Sequence, residues 1–229
     1  MRIFALAATA AAAALVCAPA SAAVFISFDG VTTEFTQADG VFEFTADCGG
    51  VADCGGFEAI TVEGSAPLTL PGLLHTDNVS VNAMDSGAAS ITIWVTRTDL
   101  SGPLGDSFFS SFTSNNQGGP ISVHLETLID NNNGLYGGAL LASFDHNAAG
   151  AAASNVDTTF TPSGLFSVTE KYVITAAASS SERSASPTIS LAGSPAGVVP
   201  EPATWALMIM GFGGAGAVMR RRRHLLAAS

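Results

Sequence analysis

The chain has 229 residues, a formal net charge of −11 and 48% hydrophobic residues, but only 12% of its residues are charged. This length allows one domain of ordinary size or two small ones, and the plentiful apolar residues exclude disorder of the whole chain. The acidic balance excludes nucleic acid as a partner, because phosphate backbones are bound by lysine and arginine. The apolar excess is concentrated at the two ends, which indicates export or membrane contact.

The N-terminus has the three parts of a secretory signal peptide. A basic second residue precedes an apolar run over residues 3–16, and Ala20-Ser21-Ala22 is a small-x-small cleavage site. The apolar run is too short to remain as an anchor in a bilayer about 30 Å thick. We expect residues 1–22 to form a signal helix that signal peptidase removes by cleaving after Ala22 or Ala23.

Residues 23–178 are predicted to form an acidic β domain, because apolar and polar residues alternate with a period of two. Glycine, proline and asparagine clusters, such as Asn131–Gly134, separate these stretches as turns. The best candidate strands are Val41–Thr45, Val79–Met84, Ile91–Thr96, Ile121–Glu126 and Phe166–Thr175. Short strands without a strong amphipathic helix favour an antiparallel β-sandwich or jelly roll. Ala148–Ala153 is the one stretch with helical character, and a loop is an equal alternative there.

The stretch from residue 23 to residue 199 is strongly acidic. Its three basic side chains, Arg97, Lys171 and Arg183, stand against 18 aspartates and glutamates, which gives a net charge of about −15. Such a surface repels polyanions and keeps the domain soluble. We favour a solvated acidic surface over a specific cation site.

Two cysteines lie in a near-repeat of the pattern Ala-Asp-Cys-Gly-Gly. In an oxidising compartment Cys48 and Cys54 should pair, and the neighbouring glycines allow the tight loop that a disulfide needs. A metal site assisted by Asp47 and Asp53 is the alternative. Because two thiolates are short of the four ligands of a structural zinc site, we predict a disulfide and no metal.

No catalytic set is recognisable in the sequence. Gly105-Asp106-Ser107 lacks the later Asp-x-x-His of the hydrolases that begin this way, and the zinc pattern H-E-x-x-H is absent. Asp130–Gly134 begins like a calcium loop but lacks the glutamate at position 12, so a hairpin turn is favoured. Gly211–Gly216 matches G-x-G-x-x-G without the strand before it that dinucleotide binding requires. We predict that the protein is not an enzyme and has no cofactor.

Trp94 is a candidate ligand contact. It lies on the face of its strand opposite Ile91 and Ile93, beside Thr92 and Thr96. Its ring is either a platform on which a sugar stacks or part of the core of a strand buried on both faces. The core is the favoured interpretation.

The composition then shifts, and residues 179–199, rich in alanine, serine and proline, predict a flexible spacer in which Thr188–Leu191 is the one possible strand. The uncharged run over residues 203–219 is long enough for a helix of about 26 Å, which crosses a thin bilayer. Arginines stay on the cytoplasmic side, so Arg220–Arg223 orient this single transmembrane helix with its N-terminus outward. The precursor is therefore predicted to be anchored in the inner membrane.

The tail, residues 200–229, combines a proline–acid–proline triplet, a tryptophan–alanine pair and an arginine cluster: Pro200, Glu201, Pro202, Trp205, Ala206, Arg220, Arg221, Arg222 and Arg223. Through these residues the tail resembles the PEP-CTERM sorting signal in its PEPxxWA variant. The resemblance implies a Gram-negative bacterium and recognition and cleavage by an exosortase. It also implies delivery to the cell envelope, the outer surface or the extracellular matrix, often with exopolysaccharide and biofilm.

Two hypotheses for the central domain follow. The first is a structural, non-enzymatic surface or matrix protein. The second is a carbohydrate- or ice-binding β-sandwich module at the cell surface, with Trp94 as its possible ligand contact.

Overall fold

The computed structural model describes residues 23–28, 31–35, 41–47, 54–67, 72–83, 87–101, 104–195 and Met210. The predicted signal peptide and the tail lie outside the described residues, apart from Met210. Within this part of the chain, no helix is both long enough and apolar enough to cross a membrane.

The described residues form thirteen β-strands along the chain. They are β1 (Val24–Phe28), β2 (Val31–Phe35), β3 (Val41–Asp47), β4 (Ala59–Ser65), β5 (Gly72–Ala83), β6 (Ala89–Leu100), β7 (Leu104–Gly118), β8 (Ile121–Asp130), β9 (Ala139–His146), β10 (Gly150–Thr159), β11 (Phe166–Ala176), β12 (Arg183–Ala185) and β13 (Thr188–Pro195). The five strands expected from the alternating pattern coincide with or lie within β3, β5, β6, β8 and β11, except that Met84 falls outside the described residues.

The strands form two antiparallel sheets. Sheet A has the order β2-β1-β6-β11-β8-β9, and sheet B has the order β10-β7-β12-β5-β4-β3, with β13 also paired to β5 and β7. Consecutive strands from β5 to β8 alternate between the sheets, so the chain crosses the space between them repeatedly. The predicted class, a mainly β protein with an antiparallel sandwich, is confirmed.

The hydrophobic core lies between the two sheets. Strand β8 shows the principle, because its inward side chains are buried while the alternate ones are partly exposed. Aromatic rings from both sheets meet in this layer: the ring centroids of Phe112 on sheet B and Phe144 on sheet A are 6.0 Å apart. Each large apolar side chain buried in this way contributes about 1.5–3 kcal/mol.

Two local predictions are wrong. Much of the predicted spacer is part of sheet B, since β12 and β13 occupy residues 183–195 between β5 and β7. Thr188–Leu191, the one possible strand expected in this stretch, does lie within β13. Ile189 and Leu191 are buried there, and this burial overrides a composition typical of a flexible segment. From Gly150 onward the alanine-rich stretch is strand β10, because pairing with β7 overrides the helical preference of alanine.

Two of the three basic side chains lie inside the sandwich. Arg97 donates from Nη1 to the carbonyl oxygen of Pro67 at 2.9 Å and to that of Leu73. Arg183, fully buried, donates from Nη1 to the carbonyl oxygens of Gly87, at 2.7 Å, and Ala177. Burial lowers the pKa of Arg97. These guanidinium groups link backbone segments inside the sandwich through hydrogen bonds, and they add little positive charge to the surface.

One carboxyl group is fully buried between the sheets. Glu170 of β11 accepts hydrogen bonds at Oε2 from the hydroxyl of Thr76 on sheet B and from the hydroxyl of Tyr172, the latter at 3.3 Å. Its other oxygen has no hydrogen-bond partner in the described part of the chain. Burial raises the pKa of Glu170 to about 8, although the bonds from Thr76 and Tyr172 act in the opposite direction. The side chain is therefore mostly neutral at pH 7.

This burial makes stability depend on pH. The unfolded chain releases the Glu170 proton near pH 4.5, whereas the folded chain keeps it until about pH 8. The stabilisation is complete below the lower value, falls by about 1.4 kcal/mol per pH unit between the two, and is lost above the higher one. Urea denaturation of the wild type and of Glu170→Gln across this range should show a steeper fall of stability with pH in the wild type, because the remaining titrating groups act alike in both proteins. Equal slopes in both proteins would contradict the assignment.

Candidate ligand-binding site

Trp94 lies on the outer face of sheet A. The strand register aligns Trp94 on β6 with Lys171 on β11, Glu126 on β8 and Ser143 on β9 in one row across four strands. Trp94 is half-buried, while its neighbours in β6 point into the core. The interpretation of Trp94 as core is therefore wrong, because its ring lies outside the layer between the sheets.

Four polar side chains form a continuous chain of contacts beside Trp94, here called the polar row: Asp145, His124, Glu126 and Lys171. Asp145 Oδ1 is 2.7 Å from His124 Nδ1, and His124 Nε2 is 3.2 Å from Glu126 Oε1. Lys171 Nζ donates to Glu126 Oε2 at 2.7 Å. All four groups are partly exposed, so the row is reachable from solvent.

Hydrogen bonds within the polar row shift the pKa values of two of its members. Burial lowers the pKa of His124, but its bonds to Asp145 and Glu126 outweigh this and raise the pKa overall. Burial raises the pKa of Glu126, but the bonds from Lys171 and His124 outweigh it and lower the pKa overall. Two carboxylates thus face one ammonium and one imidazole, and each charged group is already satisfied within the row.

A loop folds back over one end of this face. Residues 131–138 connect β8 to β9, and we call them the wall loop. The backbone N–H of Tyr136 donates to the hydroxyl of Thr96 at 3.2 Å, and Ser167 donates to the carbonyl of Gly134 at 2.5 Å. Thr96 and Ser167 are consequently buried although they lie on the outer face. The wall loop brings the Tyr136 ring to 6.2 Å from the Trp94 ring, at 55°.

Backbone strain is concentrated where the wall loop meets β6. Among the described residues, the non-glycine positions with positive φ are Asp99, Asn133 and Tyr136, with φ of 58°, 57° and 59°. Each costs about 1–2 kcal/mol in an L-residue. Asp99 and Asn133 offset this with two reciprocal hydrogen bonds of 2.8 Å. Strain held in place in this manner is typical of binding sites.

The hairpin turn predicted at Asn131–Gly134 is present. The Asp130 carboxylate accepts hydrogen bonds from the backbone N–H groups of Asn132, at 2.8 Å, and Gly134, at 3.1 Å. These bonds engage the carboxylate that a calcium loop would need as its first ligand. Within the described ranges, no group of three or more His, Cys, Asp or Glu side chains is placed to hold a metal ion.

The other predicted site residues are distributed as follows. Cys54 is disulfide-bonded, but Cys48 lies outside the described residues, so their pairing stays a prediction. Ala23 precedes β1, and its carbonyl accepts the N–H of Thr98 at 3.1 Å. Ala22 and the sorting residues, Pro200, Glu201, Pro202, Trp205, Ala206 and Arg220–Arg223, also lie outside the described residues.

Sequence reasoning missed the polar row and Tyr136. Alternation along β8 does place His124 and Glu126 on one face, which is a usable signal. Lys171 and Asp145 join them only through the pairing of β8 with β11 and β9, and that register is not visible in the sequence.

Comparison with known protein families identifies a motif near the C-terminus of the sequence. The PEP-CTERM protein-sorting motif matches residues 198–223. This chain carries a PEP-CTERM sorting motif. The resemblance predicted from Pro200-Glu201-Pro202 and the arginine cluster is thus confirmed. The motif implies an exported protein whose membrane-anchored precursor is processed by an exosortase and delivered to the cell surface.

No curated protein matches the chain. Among solved structures, TmCBM61 in complex with β-1,4-galactotriose is similar over 73% of this chain and 86% of its own, with 13% identity and a TM-score of 0.33. A structure titled "CBM4 structure and function" is similar over 66% and 86%, with 11% identity and a TM-score of 0.34. A family 29 carbohydrate-binding module from Piromyces equi is similar over 75% and 92%, with 10% identity and a TM-score of 0.27. Likenesses at these scores carry no argument about ligand or activity.

The wall loop gives a direct test of this geometry. Asn133→Ala removes both bonds to Asp99 and leaves a residue that tolerates positive φ poorly, so the free energy of unfolding should fall by about 1–3 kcal/mol. Replacing Trp205 by phenylalanine leaves Trp94 as the single tryptophan of the chain. In this background, the fluorescence of Asn133→Ala should show Trp94 more exposed to solvent than it is without the Asn133 substitution. Asn155→Ala, at an exposed position of β10, is the control and should change stability by less than about 0.5 kcal/mol. Equal effects of the two variants would refute the role of Asn133.

Proposed function

We propose that this chain, which carries a PEP-CTERM sorting motif, is a non-enzymatic component of the envelope or extracellular matrix of a Gram-negative bacterium. After removal of the signal peptide, the acidic sandwich stands outside the inner membrane while the tail holds the precursor. Exosortase cleavage then releases it to the outer surface, in association with exopolysaccharide and biofilm. The sorting motif at residues 198–223 is the observation that carries this proposal.

The chemistry of the tail supports the order of these steps. Each proline disfavours helix in the residue before it, so the sequence predicts that Pro202 favours an extended backbone at Glu201, the form that a processing enzyme would bind. Moving Arg220–Arg223 through hydrocarbon costs several kcal/mol, which halts export with the arginines in the cytoplasm. The cleavage motif is thereby presented on the outer side of the membrane.

Fractionation of the native host with and without its exosortase tests this proposal. We expect the wild-type strain to yield a surface product whose mass lacks Arg220–Arg223, and the deletion strain to retain the uncleaved chain in the inner membrane. Deletion of an unrelated envelope protease is the control and should leave the processed product unchanged. A uniform product that still carries the arginines in both strains would reject cleavage.

Carbohydrate binding is the second candidate function, and the pairing of Trp94 with Tyr136 favours it. An aromatic ring offers a flat apolar surface on which the C–H face of a sugar ring can stack. The polar row beside it supplies hydrogen-bond donors and acceptors for hydroxyl groups. A binding site of this type combines an apolar surface with a few well-placed polar groups. Ice binding fits this face less well, because the wall loop and the charged groups interrupt a flat surface.

Polysaccharide binding can be measured with a glycan array or a pull-down assay. Trp94→Ala should lower the affinity about tenfold or more, because it removes the stacking surface while leaving the core between the sheets intact. Phe109→Ala is the matched control, since Phe109 is an exposed aromatic side chain on the outer face of sheet B. Unchanged binding by Trp94→Ala, or an equal loss with Phe109→Ala, would remove the support for this site.

A further inference from the structure

We infer that the site formed by Trp94, the wall loop and the polar row takes a neutral oligosaccharide and discriminates against chains of uronic acids. This inference rests on the carbohydrate-binding function proposed above and names the class of sugar. The inference depends on where the positively charged side chains of the domain lie and on which groups they already bind.

All three basic side chains between residues 23 and 199 are engaged in intramolecular bonds. Arg97 and Arg183 are buried and donate to backbone carbonyls. On the outer face of sheet A, Lys171 is the lysine or arginine, and Glu126 accepts its hydrogen bond at 2.7 Å. His124, the other basic group of this face, lies between Asp145 and Glu126, at 2.7 and 3.2 Å, and is engaged by both. A sugar carboxylate at this face would therefore have to compete with Glu126 for Lys171.

The surrounding charge also opposes an anionic ligand. The domain carries 18 acidic side chains against three basic ones, and Asp145 and Glu126 lie within the row itself. Like charges at close range cost free energy, and a polyanion brings many of them. Hydroxyl groups of a neutral sugar meet no such penalty, since they can donate to the carboxylates and accept from the ammonium group.

The dimensions fit a short oligosaccharide that runs across the strands. Across the sheet, β9, which carries Asp145, lies three strand spacings from Trp94 on β6, or about 14 Å. The wall loop stands along one side of this path and places Tyr136 beside the Trp94 ring. One sugar ring would stack on Trp94 while the following residues lie over Lys171, Glu126 and His124.

The test uses isothermal titration of the full-length chain in detergent micelles at low salt. The ligands are neutral gluco-, galacto- and manno-hexasaccharides and a galacturonate oligomer of the same length. We expect at least one neutral oligomer to bind at least tenfold more tightly than the uronate. Trp94→Ala should weaken that neutral binding at least tenfold.

A gain-of-function variant separates charge from folding defects. Glu126→Gln removes the carboxylate that occupies Lys171, so the freed ammonium group should raise uronate affinity about five- to tenfold. Glu63→Gln, a partly exposed carboxylate on sheet B, is the control and should leave uronate affinity unchanged.

The outcomes distinguish the sugar class from the function. Uronate binding by the wild type as tight as neutral binding would overturn the class while leaving carbohydrate binding intact. If Glu126→Gln binds the uronate no more tightly than the wild type does, the argument that Glu126 keeps Lys171 from an anionic sugar is overturned. If none of the oligomers binds, the proposed carbohydrate-binding function fails, and this inference fails with it.

Discussion

Strand β11 lies at the centre of sheet A, and its antiparallel pairing with β6 on one side and β8 on the other organises the domain. Both sets of hydrogen-bonded pairs extend over most of β11, so the pairing with β6 and the pairing with β8 each fix its register. Successive side chains of a strand point to opposite faces. Glu170 therefore enters the core and bonds Thr76 of sheet B, while Lys171 joins Trp94 and Glu126 on the outer face. A shift of the strand register by one residue would turn the core side chains of β11 outward and the side chains of the candidate site inward.

The distribution of positive charge follows from the same packing. Because Arg97 and Arg183 donate to carbonyl groups inside the sandwich, the acidic side chains at the surface have few cationic partners among the described residues. A surface with this excess of negative charge favours solubility. On the outer face of sheet A the lysine, Lys171, is itself paired with Glu126.

Strands could be predicted from the sequence where apolar residues occupy their inward positions, and they were harder to predict where small or polar residues do. Strands β6 and β8 were predictable because isoleucine, valine and leucine mark every second residue. In β7 the inward residues include Ser110, whose hydroxyl meets that of Thr127 across the core at 2.8 Å. Such a pair is satisfied only when both sheets are present, so the pattern of β7 is weak in isolation. Strand β10 was missed because its alanines prefer helix, and β13 was foreseen over Thr188–Leu191 alone because the composition around this stretch is typical of a spacer.

The sequence by itself revealed the sorting motif at residues 198–223, and it predicts a signal peptide over residues 1–22. Signal peptides and sorting tails act as short contiguous stretches of charge, apolar length and proline, so their information is local and can be read directly. The tertiary structure alone decided which side chains meet on the outer face of sheet A. Trp94, Lys171, Glu126 and His124 come from three strands, and the wall loop places Tyr136 against β6 through bonds to Thr96 and Asp99. These contacts join residues far apart in the chain, and only the register of antiparallel strands brings them together.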